Sequence, residues 1–263
     1  MSNKCRPIGV FDSGMGGLSV WQALRRELPE ESLVYLADGK NCPYGNQPAS
    51  EVACHVGHAI EELVKRNVKL IVVACNTATA VAIDQMRAKY PSIPFVGMEP
   101  AVKPAALTTK SGTIGILATR AALAGDLFKH TCANYSDKVR IISAIGEGFV
   151  EAVEEGHENN ADTEMLIRRA VEPMLLAGAD KIVLGCTHYP FLAKQIEKVI
   201  GPRDVELINP APAVARRAAW LLDQHDIAAP AGHKPEYSFV TFADDAYLAR
   251  ITDKAMMLAQ EEE

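Results

Sequence analysis

The chain has 263 residues, of which 48% are hydrophobic and 23% charged, a globular mixture that argues against disorder and is enough for one large domain or two modest ones. Twenty-seven basic against 33 acidic residues give a net charge of −6 with no basic block, which argues against nucleic-acid binding while leaving room for a small anion held by backbone amides. No segment approaches membrane-spanning length, and Met1-Ser2-Asn3-Lys4-Cys5-Arg6-Pro7 lacks the apolar stretch of a signal peptide, so a cytoplasmic protein without membrane association is expected.

Nine strand-like runs are predicted, near Ile8–Asp12, Leu33–Ala37, Leu70–Ala74, Phe95–Gly97, Thr113–Ala118, Val139–Ala144, Lys181–Gly185, Val205–Ile208 and Tyr237–Thr241. Several are β-branched and continuous, as in strands buried on both faces of a parallel sheet. Helical patterns fall between most of them. Leu18, Trp21, Leu24 and Leu28, then Val52, Val56, Ile60 and Leu63, recur at three and four residues and predict amphipathic helices after the first two strands. This alternation predicts βαβ units with right-handed crossovers.

Ile8-Gly9-Val10-Phe11-Asp12-Ser13 is echoed by Ile114-Gly115-Ile116-Leu117-Ala118-Thr119, and a cysteine follows each at similar distance. The expected fold is therefore α/β, with two similar domains of mainly parallel sheet facing each other across a cleft. The first comprises 1–98 plus 210–263 and the second 99–209. Proline-marked crossovers are expected at Gly97-Met98-Glu99-Pro100 and Asn209-Pro210-Ala211-Pro212. The last strand and a helix through Ala246–Ala259 return to the first domain, and Glu261-Glu262-Glu263 reads as a solvated tail.

Asp12-Ser13-Gly14-Met15-Gly16-Gly17 lies between a strand and a helix, where glycines allow close backbone approach and amides can face a carboxylate. Its spacing is that of neither a P-loop nor a dinucleotide fingerprint. A tight turn with Asp12 as helix cap explains it equally well. Asp38-Gly39-Lys40-Asn41-Cys42-Pro43-Tyr44-Gly45-Asn46 is a polar loop that could present Tyr44 and amides to a ligand, or simply a turn.

The six cysteines, at 5, 42, 54, 75, 132 and 186, include no CxxC pair, so free thiols in a reducing compartment are expected. Cys75 and Cys186 stand apart. Each follows an apolar run and precedes hydrogen-bonding residues, Asn76-Thr77 and Thr187-His188. Both are expected at strand-to-helix junctions, at the ligand-binding edge of a sheet, where helix amides favour a thiolate. Either alone reads as a small buried hydrophobe. The matched pair favours chemistry. A metal site at Cys186 and His188 would have only two ligands, so no metal is expected. A Cys–His hydrolase would leave the second thiol unexplained.

Phe11-Asp12-Ser13-Gly14-Met15-Gly16-Gly17, Pro43-Tyr44-Gly45, Val73-Ala74-Cys75-Asn76-Thr77-Ala78 and Leu184-Gly185-Cys186-Thr187-His188-Tyr189-Pro190 resemble, in order and spacing, the motifs of the glutamate racemase family. Glu99-Pro100-Ala101-Val102-Lys103 resembles the segment after that family's first domain. The resemblance implies cofactor-independent interconversion of L- and D-glutamate, supplying D-glutamate for peptidoglycan. It implies that Cys75 removes the α-proton of the D-enantiomer and Cys186 that of the L-enantiomer, assisted by Asp12, His188 and an acidic residue matched best by Glu154, with Glu151 and Glu155 crowding the same stretch. Asp12, Ser13, Tyr44, Gly45, Asn76, Thr77, Thr187 and His188 would form the substrate shell.

Gly39-Lys40-Asn41-Cys42 departs from the Thr and Arg that many members carry after the residue matching Asp38. The chain also lacks the long amino-terminal extension that some members use for activation by a cell-wall precursor, so no such regulation is expected. A homodimer is one assembly the resemblance leaves open. Aspartate racemisation within the same superfamily is the nearest rival reading, and a non-catalytic amino-acid-binding protein is the rival from another class. Closure of the two domains over the substrate is expected, because water exclusion strengthens the contacts that stabilise a carbanion-like transition state.

Overall fold

In the computed structural model, which describes residues 3–99 and 101–260, the chain divides into two compact units, Met1–Met98 with Ala211–Glu263 and Glu99–Pro210. Each is an α/β unit with one wholly parallel sheet.

The first unit contains β1 (Ile8–Asp12), α1 (Leu18–Glu27), β2 (Leu33–Ala37), α2 (Ala49–Lys65), β3 (Leu70–Val73), α3 (Asn76–Lys89) and β4 (Phe95–Gly97). The second contains α4 (Val102–Thr108), β5 (Thr113–Ala118), α5 (Arg120–Ala124), α6 (Asp126–Ala133), β6 (Arg140–Ile145), α7 (Phe149–Glu154), α8 (Ala161–Leu176), β7 (Lys181–Gly185), α9 (Ala193–Ile200) and β8 (Glu206–Ile208). The chain then re-enters the first unit through α10 (Ala211–Gln224), β9 (Tyr237–Thr241) and α11 (Asp245–Gln260).

The first sheet has strand order β4-β3-β1-β2-β9. Every residue of β1, β2 and β3 is buried, which explains their unbroken apolar sequences, whereas β9 at the edge is only partly buried. One side is filled by Phe11, Val56, Ile60, Leu63, Val73 and Ile83. Full burial of each such side chain contributes about 1.5–3 kcal/mol before entropic costs. On α1, Trp21 packs against Tyr237 and Phe239 of β9 at centroid separations of 5.5 and 5.6 Å, tying the returning strand to the first helix.

The second sheet has order β6-β5-β7-β8. Here β5 and β7 are fully buried and the edge strands β6 and β8 are not. In both sheets the first strand of the unit is central and the chain winds outward to both sides. Adjacent strands β1 and β3, and likewise β5 and β7, therefore flank a topological switch point, where loops leave in opposite directions and open a crevice at the carboxyl edge.

The nine predicted strands all form, with ends shifted by at most one residue: β3 stops at Val73, β6 spans Arg140–Ile145, and β8 starts at Glu206. Leu28 lies just outside α1 as its C-cap. At the second crossover Pro212 does not interrupt structure; it is the second residue of α10, a position with no intrahelical N–H bond to lose. Pro210 groups with the second unit rather than the first, because the helix that carries the chain back begins only after it. Pro100 and the Glu261–Glu263 tail lie outside the described residues.

Candidate active site

In the first unit, β1 delivers Asp12 and Ser13 and β3 delivers Cys75 to the two sides of the switch point. The register pairs Phe11 with Val73, and the Ala74 amide donates to the Phe11 carbonyl at 2.8 Å, so both strands end at the same level. Asp12 is fully buried and accepts from the Gly14 amide at 3.0 Å. It is not the cap of α1, since Gly17 occupies that position. A Cβ on Gly17 would lie 2.5 Å from the Asp12 Cβ and 2.9 Å from the Tyr35 hydroxyl, so this glycine is required by close approach. Tyr35 donates to the Gly14 carbonyl at 2.7 Å and fixes the loop from below.

Cys75 is buried and is the N-cap of α3, its Sγ accepting from the Ala78 amide at 3.5 Å and lying 3.7 Å from Ser13 Oγ. An N-terminal amide and the positive end of a 14-residue helix favour negative charge on that sulfur. Asn76, the first residue of α3, is buried, yet its Oδ1 and Nδ2 have no hydrogen-bond partner among the described residues. Leaving a buried amide unpaired costs about 1–3 kcal/mol, which makes this side chain a candidate for binding a polar ligand. Thr77 beside it is also buried.

The loop after β2 is organised by Asp38. Its buried carboxylate accepts from Asn41 Nδ2 at 2.9 and 3.0 Å and from the Tyr44 hydroxyl at 2.6 Å, while its amide donates to the Asp12 carbonyl at 3.0 Å. Burial, then the Asp38 charge and hydrogen bond, with smaller contributions from Cys75 and Asp12, hold the Tyr44 hydroxyl far above the usual phenol range. Tyr44 is thus a neutral donor whose single proton is already committed to Asp38. Gly45 follows it in the short 3₁₀ turn Tyr44–Asn46.

In the second unit, β7 brings Cys186 to the equivalent crevice. Ala118 pairs with Gly185, which sets Thr119 opposite Cys186 as Ser13 is opposite Cys75. Thr119 is nearly buried and caps α5, its Oγ1 accepting from the Ala122 amide at 3.2 Å. No helix begins at Cys186. The chain turns, with the Tyr189 amide donating to the Cys186 carbonyl at 3.1 Å, and enters a 3₁₀ segment at Tyr189–Leu192 before α9. The expectation of helix amides at both thiols therefore fails at Cys186, where Pro190 near the start of the 3₁₀ segment removes one donor.

An imidazole stands there instead. Cys186 Sγ is 3.7 Å from His188 Nδ1, and His188 Nε2 is 2.7 Å from Glu154 Oε1. With Glu154 ionised and the imidazole neutral, the Nε2–H donates to Glu154 and the Nδ1 lone pair faces Cys186. The tight turn after Cys186 makes this i, i+2 contact reachable. Glu154 is held by α7, whose Phe149 meets Tyr189 edge-on at 5.1 Å. Gly146 permits that packing, because a Cβ there would lie 2.4 Å from the Tyr189 hydroxyl. Burial and the neighbouring Cys186 raise the Tyr189 phenol well above its ordinary range, so it stays neutral beside the thiol. Glu151 and Glu155 are exposed, and Glu155 pairs with His157 at 3.1 Å. Thr187 is buried next to Cys186.

Within the first unit, then, Asp12, Ser13, Tyr44, Gly45, Cys75, Asn76 and Thr77 lie at strand ends, in turns and at a helix start on the carboxyl edge of the sheet, and within the second Cys186, Thr187 and His188 follow the end of β7, with Glu154 joined to them. Two residues absent from the sequence-derived site are equally well placed. Asp38 shapes the Tyr44 loop. Thr119 matches Ser13, a correspondence already legible in the echo between the two halves.

Residues 8–218 match the family profile of Asp/Glu/Hydantoin racemases. The chain is 47% identical to a glutamate racemase of Roseiflexus sp. (strain RS-1) over 224 residues, covering 85% of this chain and 82% of the relative. Its fold is similar to the crystal structure of glutamate racemase isoform RacE1 from Bacillus anthracis, with a TM-score of 0.85, 31% identity and coverage of 97% and 95% of the two chains. It is similar also to Escherichia coli glutamate racemase in complex with L-glutamate and the activator UDP-MurNAc-Ala, with a TM-score of 0.84, 31% identity and coverage of 96% and 95%. A match spanning most of the sequence and both sheets has one meaning: the chain belongs to the Asp/Glu/Hydantoin racemase family.

Proposed function

We propose that this protein is a glutamate racemase that interconverts L- and D-glutamate without an added cofactor, Cys75 and Cys186 being its two acid–base catalysts. The observation that carries this reading is one buried thiol at the switch point of each parallel sheet, each beside its own polar partners. The L-glutamate held by the E. coli relative supports the substrate assignment.

Inverting an α-carbon requires proton removal on one face and delivery on the other, which a single fixed base cannot accomplish. In the L-to-D direction the Cys186 thiolate takes the α-proton and becomes a thiol, the electron pair passes to the α-carbon and its carboxylate, and the Cys75 thiol gives its proton and becomes a thiolate. The reverse reaction exchanges the roles. Positioned acid–base groups of this kind each contribute about 10²–10⁴-fold. Asp12 assists at Cys75, and His188, oriented by Glu154, assists at Cys186. Ser13, Tyr44, Gly45, Asn76, Thr77, Thr187 and His188 form the substrate shell, in which the Ser13, Thr77 and Thr187 hydroxyls and the Asn76 amide stabilise the charge that develops on its carboxylate. Asn76 is the clearest of these, since its amide gains hydrogen bonds it otherwise lacks.

The product would supply peptidoglycan synthesis in the cytoplasm, and a homodimer is the assembly to test by sedimentation. No helix among the described residues is long and apolar enough to cross a membrane. The deciding experiment is incubation with each enantiomer of glutamate, and separately of aspartate, in D₂O without cofactor, following optical rotation and α-deuterium incorporation. Exchange and racemisation of glutamate are expected. Preference for aspartate would overturn the substrate and keep the two-thiol chemistry; binding without exchange in folded protein would leave an amino-acid-binding protein.

A further inference from the structure

The opposite end of the first sheet carries a cavity that the reaction does not use. It lies where β1, β3 and β4 begin, and measures about 460 Å³, within the range of small-molecule sites. The four residues of β1 before Asp12 separate it from that carboxylate by about 13 Å of extended chain. Val64, Val68, Ile93 and Ile227 supply an apolar wall, whereas Arg6, Lys69 and His225 supply nitrogen. No carboxylate lines it among the described residues.

The basic groups are not equivalent. Lys69 is fully buried and paired with Glu31 at 2.6 Å, and its ammonium also donates to the Lys4 carbonyl. Lys4 in turn pairs with Asp226 at 2.6 Å. Their charges are answered. Arg6 is half-buried and donates through Nη1 to the neutral Asn3 Oδ1 at 2.8 Å, and it forms no ion pair with any described residue. A guanidinium has five donors, so the fork of Arg6 retains the capacity to grip two oxygens of an anion, and the exposed His225 lines the same cavity.

We propose that this cavity is a second ligand site, for an organic anion that places a phosphate or carboxylate on Arg6 and His225 and an apolar body against Val64, Val68 and Ile227. A half-buried guanidinium without an ionic partner, set beside the edges of four apolar side chains, suits such anions better than glutamate itself, whose body is short and zwitterionic.

The test is an amide chemical-shift titration of the full-length ¹⁵N-labelled protein with phenyl phosphate, phenylacetate and, as a neutral comparator, benzyl alcohol. Saturable shifts at Val68 and Ile227 are expected with the anions and not with the alcohol, and the anion that saturates at the lower concentration identifies the head group. Arg6→Gln is expected to weaken binding by about tenfold or more, as the loss of a charge-assisted pair demands, and His225→Gln by less, with glutamate turnover unchanged in both. Equal response to benzyl alcohol in the unsubstituted protein, or unchanged anion affinity in both variants, would overturn the proposal.

Discussion

The carboxyl edges of the two sheets solve the same problem differently. At the first, Cys75 caps a regular helix and meets a backbone amide and the Ser13 hydroxyl. At the second, Cys186 opens into a turn and meets an imidazole backed by a carboxylate. A helix N-terminus stabilises charge but exchanges no proton, whereas an imidazole does both. Topology therefore supplied two equivalent positions, of which one has a helix N-terminus beside its thiol and the other an imidazole backed by a carboxylate.

The most severe test of this pairing removes the thiols. Cys75→Ser and Cys186→Ser should each reduce racemisation by about 10³-fold or more, because a hydroxyl ionises far less readily than a thiol and each turnover needs both groups. Full activity of either variant in the optical-rotation assay would refute the two-base scheme.

The relay is tested by Glu154→Gln, which keeps the shape of the side chain and removes its charge. We expect a loss of about 10–100-fold in kcat/KM, equal in both directions because the two enantiomers have equal free energies. The asymmetry between the thiols should appear instead in the isotope effect. With proton transfer at Cys186 slowed, α-deuterated L-glutamate should show a larger effect than α-deuterated D-glutamate. Equal effects would place Glu154 outside the relay.

Asn76 separates binding from stability on the Cys75 side. Asn76→Ala should raise KM for glutamate several-fold, roughly 1 kcal/mol, while raising the melting temperature of the ligand-free protein by removing an unpaired buried amide. A lowered melting temperature would show that the side chain serves the fold.

The smallest effect concerns the second sheet away from its thiol. Asp180, just before β7, is pushed upward by burial, but hydrogen bonds from Thr109 Oγ1 and the Ser111 and Lys110 amides prevail and bring it from the ordinary 3.8 to about 2. A lowered folded-state value stabilises the fold above the unfolded value and loses that contribution as pH falls from about 3.8 to about 2. Asp180→Asn should accordingly be less stable than the parent at neutral pH, with the difference vanishing across that window in acid denaturation. A difference independent of pH would assign it to packing alone.

Much of this was readable from sequence, for identifiable reasons. The strands of both sheets are short runs of β-branched residues interrupted by amphipathic helices, and burial on both faces leaves such runs little alternative. Cys75 was legible at a strand-to-helix junction because an apolar run precedes it and Asn76 and Thr77 follow, and the structure makes it the helix cap. The partner of His188 was not, since Glu154 lies 34 residues earlier among three glutamates, and periodicity does not select one of them. Phe149 packing on Tyr189 does.

By itself, then, the sequence determined the two parallel sheets, the repeat between halves and a thiol after the equivalent strand of each, because local hydrophobic pattern and chain order are sufficient for these. Only tertiary structure decided that Pro212 starts a helix, that Tyr44 spends its proton on Asp38, and that Glu154 stands behind His188. The last of these joins residues 34 apart in sequence, and packing alone chooses among the partners that sequence leaves equivalent.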